Sequence, residues 1–304
     1  RNKWLIAGML LVVSFVFFFN YSAIYDKKVD LNGDNIYYYS LGQALSHGEG
    51  YTNIIHYEKT PHAHFPPGYP FFISVINRIS PDNIQAVKKA NGFLLYFSVI
   101  MVFFIALVTT RNSILAFCTA TLMSMHKELL RFATIMMSET LFIFLSSAAI
   151  LLALLIVRNI IGKKHRWAVW VAMAAYALII AYTYLVRTMG LSLILALFGW
   201  LGILACRELV RWRKAVKRED GTASIHRQLM ARCAILCLLT IVSMGVAKLS
   251  WDTRNRNLGI KGDDYQSTFF KKTNNGIMEG VADWTARIKS NTAHFITRWI
   301  PEAT

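Results

Sequence analysis

The sequence predicts an all-α fold, a polytopic transmembrane helix bundle with a helical first outer loop. Three observations predict it. Of the 304 residues, 55% are hydrophobic and only 16% charged, where a soluble chain carries roughly a quarter charged residues; mean hydropathy is +0.39. Several apolar runs approach the ~20 residues that a helix needs to cross a bilayer. The basic residues collect in alternate connecting segments. Together these exclude disorder, a coiled coil and an ordinary cytosolic enzyme.

The elements follow in order. Residues 4–19 form the first apolar run. Its Arg1 and Lys3 flank also fits a secretory signal peptide, but the run ends in Phe17-Phe18-Phe19-Asn20 and further spans follow, so it reads as an uncleaved first helix. Further spans are predicted at 92–108, 114–125, 141–157, 167–186, 191–206 and 233–249, roughly seven in all by length. The run at 114–125 is short and fits one of a pair of helices meeting near the outer surface around 126–137. No internal repeat or low-complexity tract is visible. The segment 207–232 reads as a solvated basic connector between two spans.

There are 33 Lys and Arg against 17 Asp and Glu, a net charge of +16. With the N-terminus cytoplasmic, the inner loops hold Arg1, Lys3, Arg111, Arg158, Lys163, Lys164 and Arg166, then the run from Arg207 to Arg232. Such a bias sets orientation and attracts anionic lipid of the inner leaflet. The positive balance is therefore a topology signal, and no nucleic acid is implied. Cys118, Cys206, Cys233 and Cys237 lie in or beside apolar runs, so no disulfide framework is implied. The chain begins at Arg1 and stops in polar sequence at Thr304, as a piece of a longer or processed protein would. Residues 1–250 form the predicted transmembrane domain, with its first outer loop at 21–91. Residues 251–304 form an outward-facing tail. Met278, Val281, Trp284 and Ile288 recur there at helical intervals, which fits an amphipathic surface helix or the start of a larger outer region.

Loops on a rigid scaffold carry function, so the outer loop is the expected seat of chemistry. Asp34 precedes a helical stretch, Ile36 to Leu45, and reads as its N-cap. A carboxylate so placed is also fixed and ionised, as a general base must be; Asp30 is the nearby alternative. Pro66-Pro67-Gly68-Tyr69-Pro70 is a rigid turn into the next helix, flanked by Lys59, His62 and His64. His56, His62 and His64 could ligate a metal, but their spacing matches no strong zinc motif, so the metal reading stays open and a divalent cation stays an option.

One known family shares these features. A first span followed at once by Asp34-Asn35-x-Tyr37-Tyr38-Tyr39-x-x-Gly42-x-Ala44-Leu45-x-x-Gly48-x-Gly50-Tyr51, and then by Pro66-Pro67-Gly68-Tyr69-Pro70, resembles the membrane glycosyltransferases of the C superfamily. The bacterial branch similar to protein O-mannosyltransferases and the lipid A aminoarabinose transferase looks closest. The resemblance implies transfer of a sugar from a polyprenyl-phosphate donor to a lipid, glycan or protein acceptor, on the outer face of a bacterial cytoplasmic membrane. It implies an acidic residue in the first outer loop, which Asp34 matches. Asn35 stands where many members have Glu, so the usual acidic pair lacks its second carboxylate. Arg131 to Phe142, containing Ser138-Glu139, resembles the family's segment at the outer end of the next helix pair, and Leu185-Val186-Arg187-Thr188-Met189-Gly190 resembles its later outer turn.

On that reading Asp34 is the candidate base and Glu139 the second candidate catalytic carboxylate, which orients a base, holds a cation, or pairs with Arg131 or Lys127. Arg187 and Lys59 are candidate phosphate partners, with His62, His64 and Tyr69 as further substrate contacts. Tyr37, Tyr38, Tyr39, Tyr51 and Tyr69 either stack on sugar faces or form an interfacial aromatic belt. The competing expectations are a transporter or flippase, which calls for broken or ionisable spans at the midplane, and a non-catalytic assembly subunit.

Overall fold

The computed structural model describes residues 3–259 apart from 30, 56, 159–166, 189, 218 and 220, together with 289, 290, 292 and 293. The described residues are all-α, with no strand beyond one isolated bridge, Thr52 with Pro61. Their helices are α1 (Lys3–Ile24), α2 (Asp34–Ser46), α3 (Gly68–Ile79), α4 (Ile84–Thr110), α5 (Ser113–Met125), α6 (Lys127–Ala133), α7 (Glu139–Val157), α8 (Trp167–Val186), α9 (Gly190–Lys217) and α10 (Ala223–Asn257).

Six of these, α1, α4, α7, α8, α9 and α10, are long and apolar enough to cross a membrane. The chain is an integral membrane protein. The expected span at 114–125 differs. α5 has 13 residues, about 20 Å at 1.5 Å per residue, short of the ~30 Å hydrocarbon core. The chain returns across the bundle only with α6 added. Asn112 starts α5 by accepting the N–H groups of Ile114 and Leu115 at 2.9 and 3.2 Å. His126 ends it and caps α6, its Nδ1 accepting from the Leu129 N–H.

Cross-links show which ends lie together: α4 runs opposite to α1, and α7 runs the same way as α4, with α5 and α6 between them in the chain. The Tyr21 hydroxyl near the end of α1 donates to the Lys88 carbonyl near the start of α4. Arg158, just past α7, donates to the carbonyls of Val108 and Thr109 at the end of α4. Arg254, near the end of α10, returns to the loop before α3. One end of the bundle thus carries α2, α3 and the loop between them; the other carries Arg111, Arg158, Arg211 and Arg232.

Between apolar helices in lipid, close approach and interhelical hydrogen bonds drive association, because burial of apolar surface is no gain there. Small residues meet that need: Ala116 and Ala120 on α5, and Ala149 and Ala153 on α7, are fully buried. The Tyr176 hydroxyl of α8 and the Thr240 hydroxyl of α10 lie 2.7 Å apart. The segment 207–232 is largely exposed, as a solvated connector would be, but it is mostly helical. α9 runs on to Lys217 and α10 begins at Ala223. Glu208 is buried there, bonded to Arg211 and His226 at 2.6 Å each. The periodicity at Met278, Val281, Trp284 and Ile288 lies outside the described residues.

Candidate functional site

The site is built where α2, α7 and α8 meet. Gly33 precedes α2 with φ 57° and ψ −131°, a conformation that costs a side-chain-bearing residue heavily. Asp34 is therefore the first helical residue and not the N-cap, and it makes no side-chain cap hydrogen bond. Its carboxylate is exposed at the positive end of the helix dipole. Tyr38 lies one turn further on the same face, buried against Phe65 and Tyr69 with ring centroids 4.9 and 5.2 Å away.

α7 begins at Glu139, and α8 ends at Val186 with Arg187 following. Glu139 Oε1 and Arg187 Nη1 are 2.5 Å apart, each side chain about one-quarter to one-fifth exposed (25% for Arg187, 21% for Glu139). The same Nη1 donates to Ser138 Oγ at 3.2 Å, and that hydroxyl lies 3.4 Å from the Tyr38 hydroxyl. The second oxygen of Glu139, Oε2, is buried with no hydrogen-bond partner. Glu139 pairs with neither Arg131 nor Lys127: Arg131 bonds Glu128 instead. Helix geometry explains this, since Arg131 on α6 is separated from α7 by the turn at 134–138.

The proline turn holds α3 against this corner. A Cβ on Gly68 would lie 2.7 Å from the backbone carbon and oxygen of Leu185, so only glycine permits the approach. The Tyr182 hydroxyl donates to the Gly68 carbonyl at 2.9 Å.

A cavity of about 40 Å³ opens among Asp34, Tyr38, Pro66, Glu139, Arg187 and Thr188. That is room for roughly three waters, and Asp34 on its rim is exposed. Burial pushes the Tyr38 phenol up to about 12; the Ser138 hydrogen bond and Arg187 oppose this in part, and the Asp34 and Glu139 charges add to it. Tyr38 is therefore a neutral hydroxyl beside a carboxylate and a guanidinium.

Three of the sequence candidates, Asp34, Glu139 and Arg187, thus line one cavity. The others do not. Lys59 sits in the exposed part of the loop and pairs with Glu49 at 3.3 Å. His62 accepts the Phe65 N–H on Nε2 at 3.1 Å and stacks on Phe65, so it shapes the turn. His64 packs edge-on against the same ring. Tyr69 is fully buried, and Asn91 Nδ2 donates to its hydroxyl at 2.8 Å; no face is open to a sugar, because α3 packs it into the core. His56 and Asp30 lie outside the described residues. Among the described residues, no three His, Cys, Asp or Glu side chains come together to hold a metal.

Sequence reading missed Ser138 and Tyr38 as partners of the Arg187 and Glu139 pair. It also missed Arg254, which it placed in the tail. Arg254 donates to the carbonyls of His62 at 2.6 Å and Tyr51 at 3.1 Å, and its guanidinium lies over the rings of Tyr51 and Trp251. The Trp251-x-x-Arg254 spacing at the end of an apolar run was the available signal.

No known protein family, curated protein or solved structure matches the chain.

Proposed function

We propose that the protein is a membrane glycosyltransferase that moves a sugar from a polyprenyl-phosphate donor to an acceptor hydroxyl. The cavity end faces outward, and the arginine-rich end faces the cytoplasm of a bacterial cell, in keeping with the positive-inside bias. One observation carries the reading: Asp34 lines the same small cavity as the Glu139–Arg187 pair, at a membrane end.

In this reading Asp34 takes the acceptor proton as the acceptor oxygen bonds to the anomeric carbon. The bond from that carbon to the phosphate oxygen breaks, and its electron pair leaves with the polyprenyl phosphate. Arg187 meets the developing phosphate charge. A planar guanidinium with several N–H donors suits that task, and losing one such donor typically costs about 3 kcal/mol of transition-state stabilisation. Glu139 holds Arg187 in place through Oε1, while its Oε2 is buried without a hydrogen-bond partner. The lipid tail runs into the bilayer beside α7 and α8.

The test is Asp34→Asn in membranes, assayed for sugar transfer from polyprenyl-phosphate sugars. Transfer falls by about 100-fold or more while insertion is unchanged. Undiminished transfer overturns the base assignment. An absence of transfer by the wild-type chain, together with wild-type-dependent movement of a solute across vesicles, favours the transporter reading.

A further inference from the structure

A second, charged cavity lies at the opposite end of the bundle from Asp34. α7 separates the two. Its 19 residues span about 28 Å, close to the ~30 Å hydrocarbon thickness, with Glu139 at one end and Arg158 just beyond the other. The second cavity measures about 780 Å³ and lies between α4, α7, α9 and α10. Arg111, Arg158, Arg211 and Arg232 line it. So do Leu107, Leu154, Trp200, Leu204, Ile225 and Leu229, which give it an apolar wall.

Three of the four guanidiniums are held in place, and Arg111 is left without a hydrogen bond or ion pair among the described residues. Arg158 donates to the Val108 and Thr109 carbonyls, and Arg232 to the Ile156 carbonyl at 3.0 Å. These carbonyls orient the side chains, and being neutral they leave the charge intact. Arg211 is bonded to Glu208, a carboxylate that also meets His226. Among the described residues neither Arg111 nor Arg158 is ion-paired to a carboxylate. The cavity therefore combines a positive floor with an apolar wall at the membrane edge. A phosphate fits the first, since guanidinium groups bind it with paired N–H donors. An acyl chain fits the second. Basic pockets between transmembrane helices on the cytoplasmic side suit anionic head groups.

We propose that this cavity binds the phosphodiester headgroup of an anionic phospholipid, with the start of an acyl chain along Trp200 and Leu204. The site is independent of the transferase reading. The ligand is a structural lipid of the cytoplasm-facing leaflet, bound where four helices converge.

Trp200 is a reporter inside the cavity. The full-length chain is placed in vesicles of phosphatidylcholine mixed with brominated phosphatidylglycerol, or with brominated phosphatidylcholine at equal bromine content. The fluorescence lost from wild type but not from Trp200→Phe is the site signal. That signal is quenched severalfold more by the anionic lipid than by the zwitterionic one, and inorganic phosphate leaves the difference intact. Arg111→Gln lowers the preference; its guanidinium makes no hydrogen bond or ion pair among the described residues, so the helix packing is kept. Equal quenching by the two lipids overturns the proposal. A preference abolished by inorganic phosphate overturns the lipid in favour of a soluble phosphate. A preference unchanged in Arg111→Gln and in Arg158→Gln overturns recognition by these arginines. Lipid extracted from the purified protein gives the second measurement: phosphatidylglycerol is retained above its share of the membrane, and its absence counts against the site.

Discussion

The guanidinium of Arg254 reaches the main-chain oxygen of His62, 192 residues earlier in the chain, at 2.6 Å. It also bonds the Tyr51 carbonyl and lies 5.0 Å from the Trp251 ring centre. The last long helix thereby closes the loop whose other side carries the proline turn and, beyond it, the candidate site. That loop has little regular structure of its own: one bridge, and hydrogen bonds from the Asn53 N–H to Thr60 and from the His62 N–H to Tyr51.

Arg254→Ala should loosen this loop while the bundle persists. Hydrogen bonds to charged groups are worth about 1.5–3 kcal/mol each, so amide exchange at Asn53 and His62 should accelerate by about tenfold or more. Hydrogen exchange on the wild type and the variant measures it. Equal protection would show that the bridge holds the loop without Arg254.

The Glu139–Arg187 pair should behave as one unit. Its members are partly exposed, so breaking it falls between the surface and buried cases, at about 2 kcal/mol. Glu139→Gln and Arg187→Gln should each destabilise the bundle, and the double variant should cost clearly less than their sum. Thermal unfolding in detergent gives the cycle. Additive losses would mean the two side chains act separately.

Gly68→Ala should be worse than its size suggests. The added methyl meets the Leu185 backbone at 2.7 Å, and backbone cannot rotate away. Overpacking of this kind costs about 1–3 kcal/mol. The effect should appear as a lower unfolding temperature in detergent, because α3 and the end of α8 are packed against each other at this point. Wild-type stability in the variant would contradict the close approach.

Tyr38 should titrate late. Its phenol is raised from 10.0 to about 12, which means that the fold favours the neutral form. The stabilisation is present in full below pH 10 and is lost as pH rises through about 12. The tyrosinate absorbance of wild type minus Tyr38→Phe should therefore rise near pH 12. A difference titration centred on 10 would place the hydroxyl in water.

Much of the architecture was legible because a bilayer leaves few options: a backbone in hydrocarbon must satisfy its own hydrogen bonds, so apolar runs become helices. The runs at 141–157 and 167–186 appear almost unchanged as α7 and α8. The run at 114–125 did not become a full span, since hydropathy reports that a segment is apolar and says little about where the chain turns. Nor was the helical extension of α9 and α10 legible, because Arg207 to Arg232 is polar by composition. In the fold, buried Glu208 bonds Arg211 and His226 of that run.

Among site residues, Asp34 was readable as a carboxylate ahead of a helical stretch, and Glu139 and Arg187 as charged side chains at the ends of apolar runs, where ionisable groups are costly and therefore informative. Lys59, His62, His64 and Tyr69 were chosen for lying in or beside the proline turn and are not on the cavity. Composition and hydropathy by themselves determined that the chain is an apolar, all-helical, membrane-crossing bundle with one basic end, because those properties depend on single residues and their near neighbours. Only the tertiary structure decided that Glu139 meets Arg187 rather than Arg131, that Tyr69 is buried and Tyr38 borders the cavity, and that four arginines from four helices share one chamber. Those outcomes depend on which helix ends converge, and convergence is set by close packing at Gly68 and at the alanine faces of α5 and α7, between segments far apart in sequence.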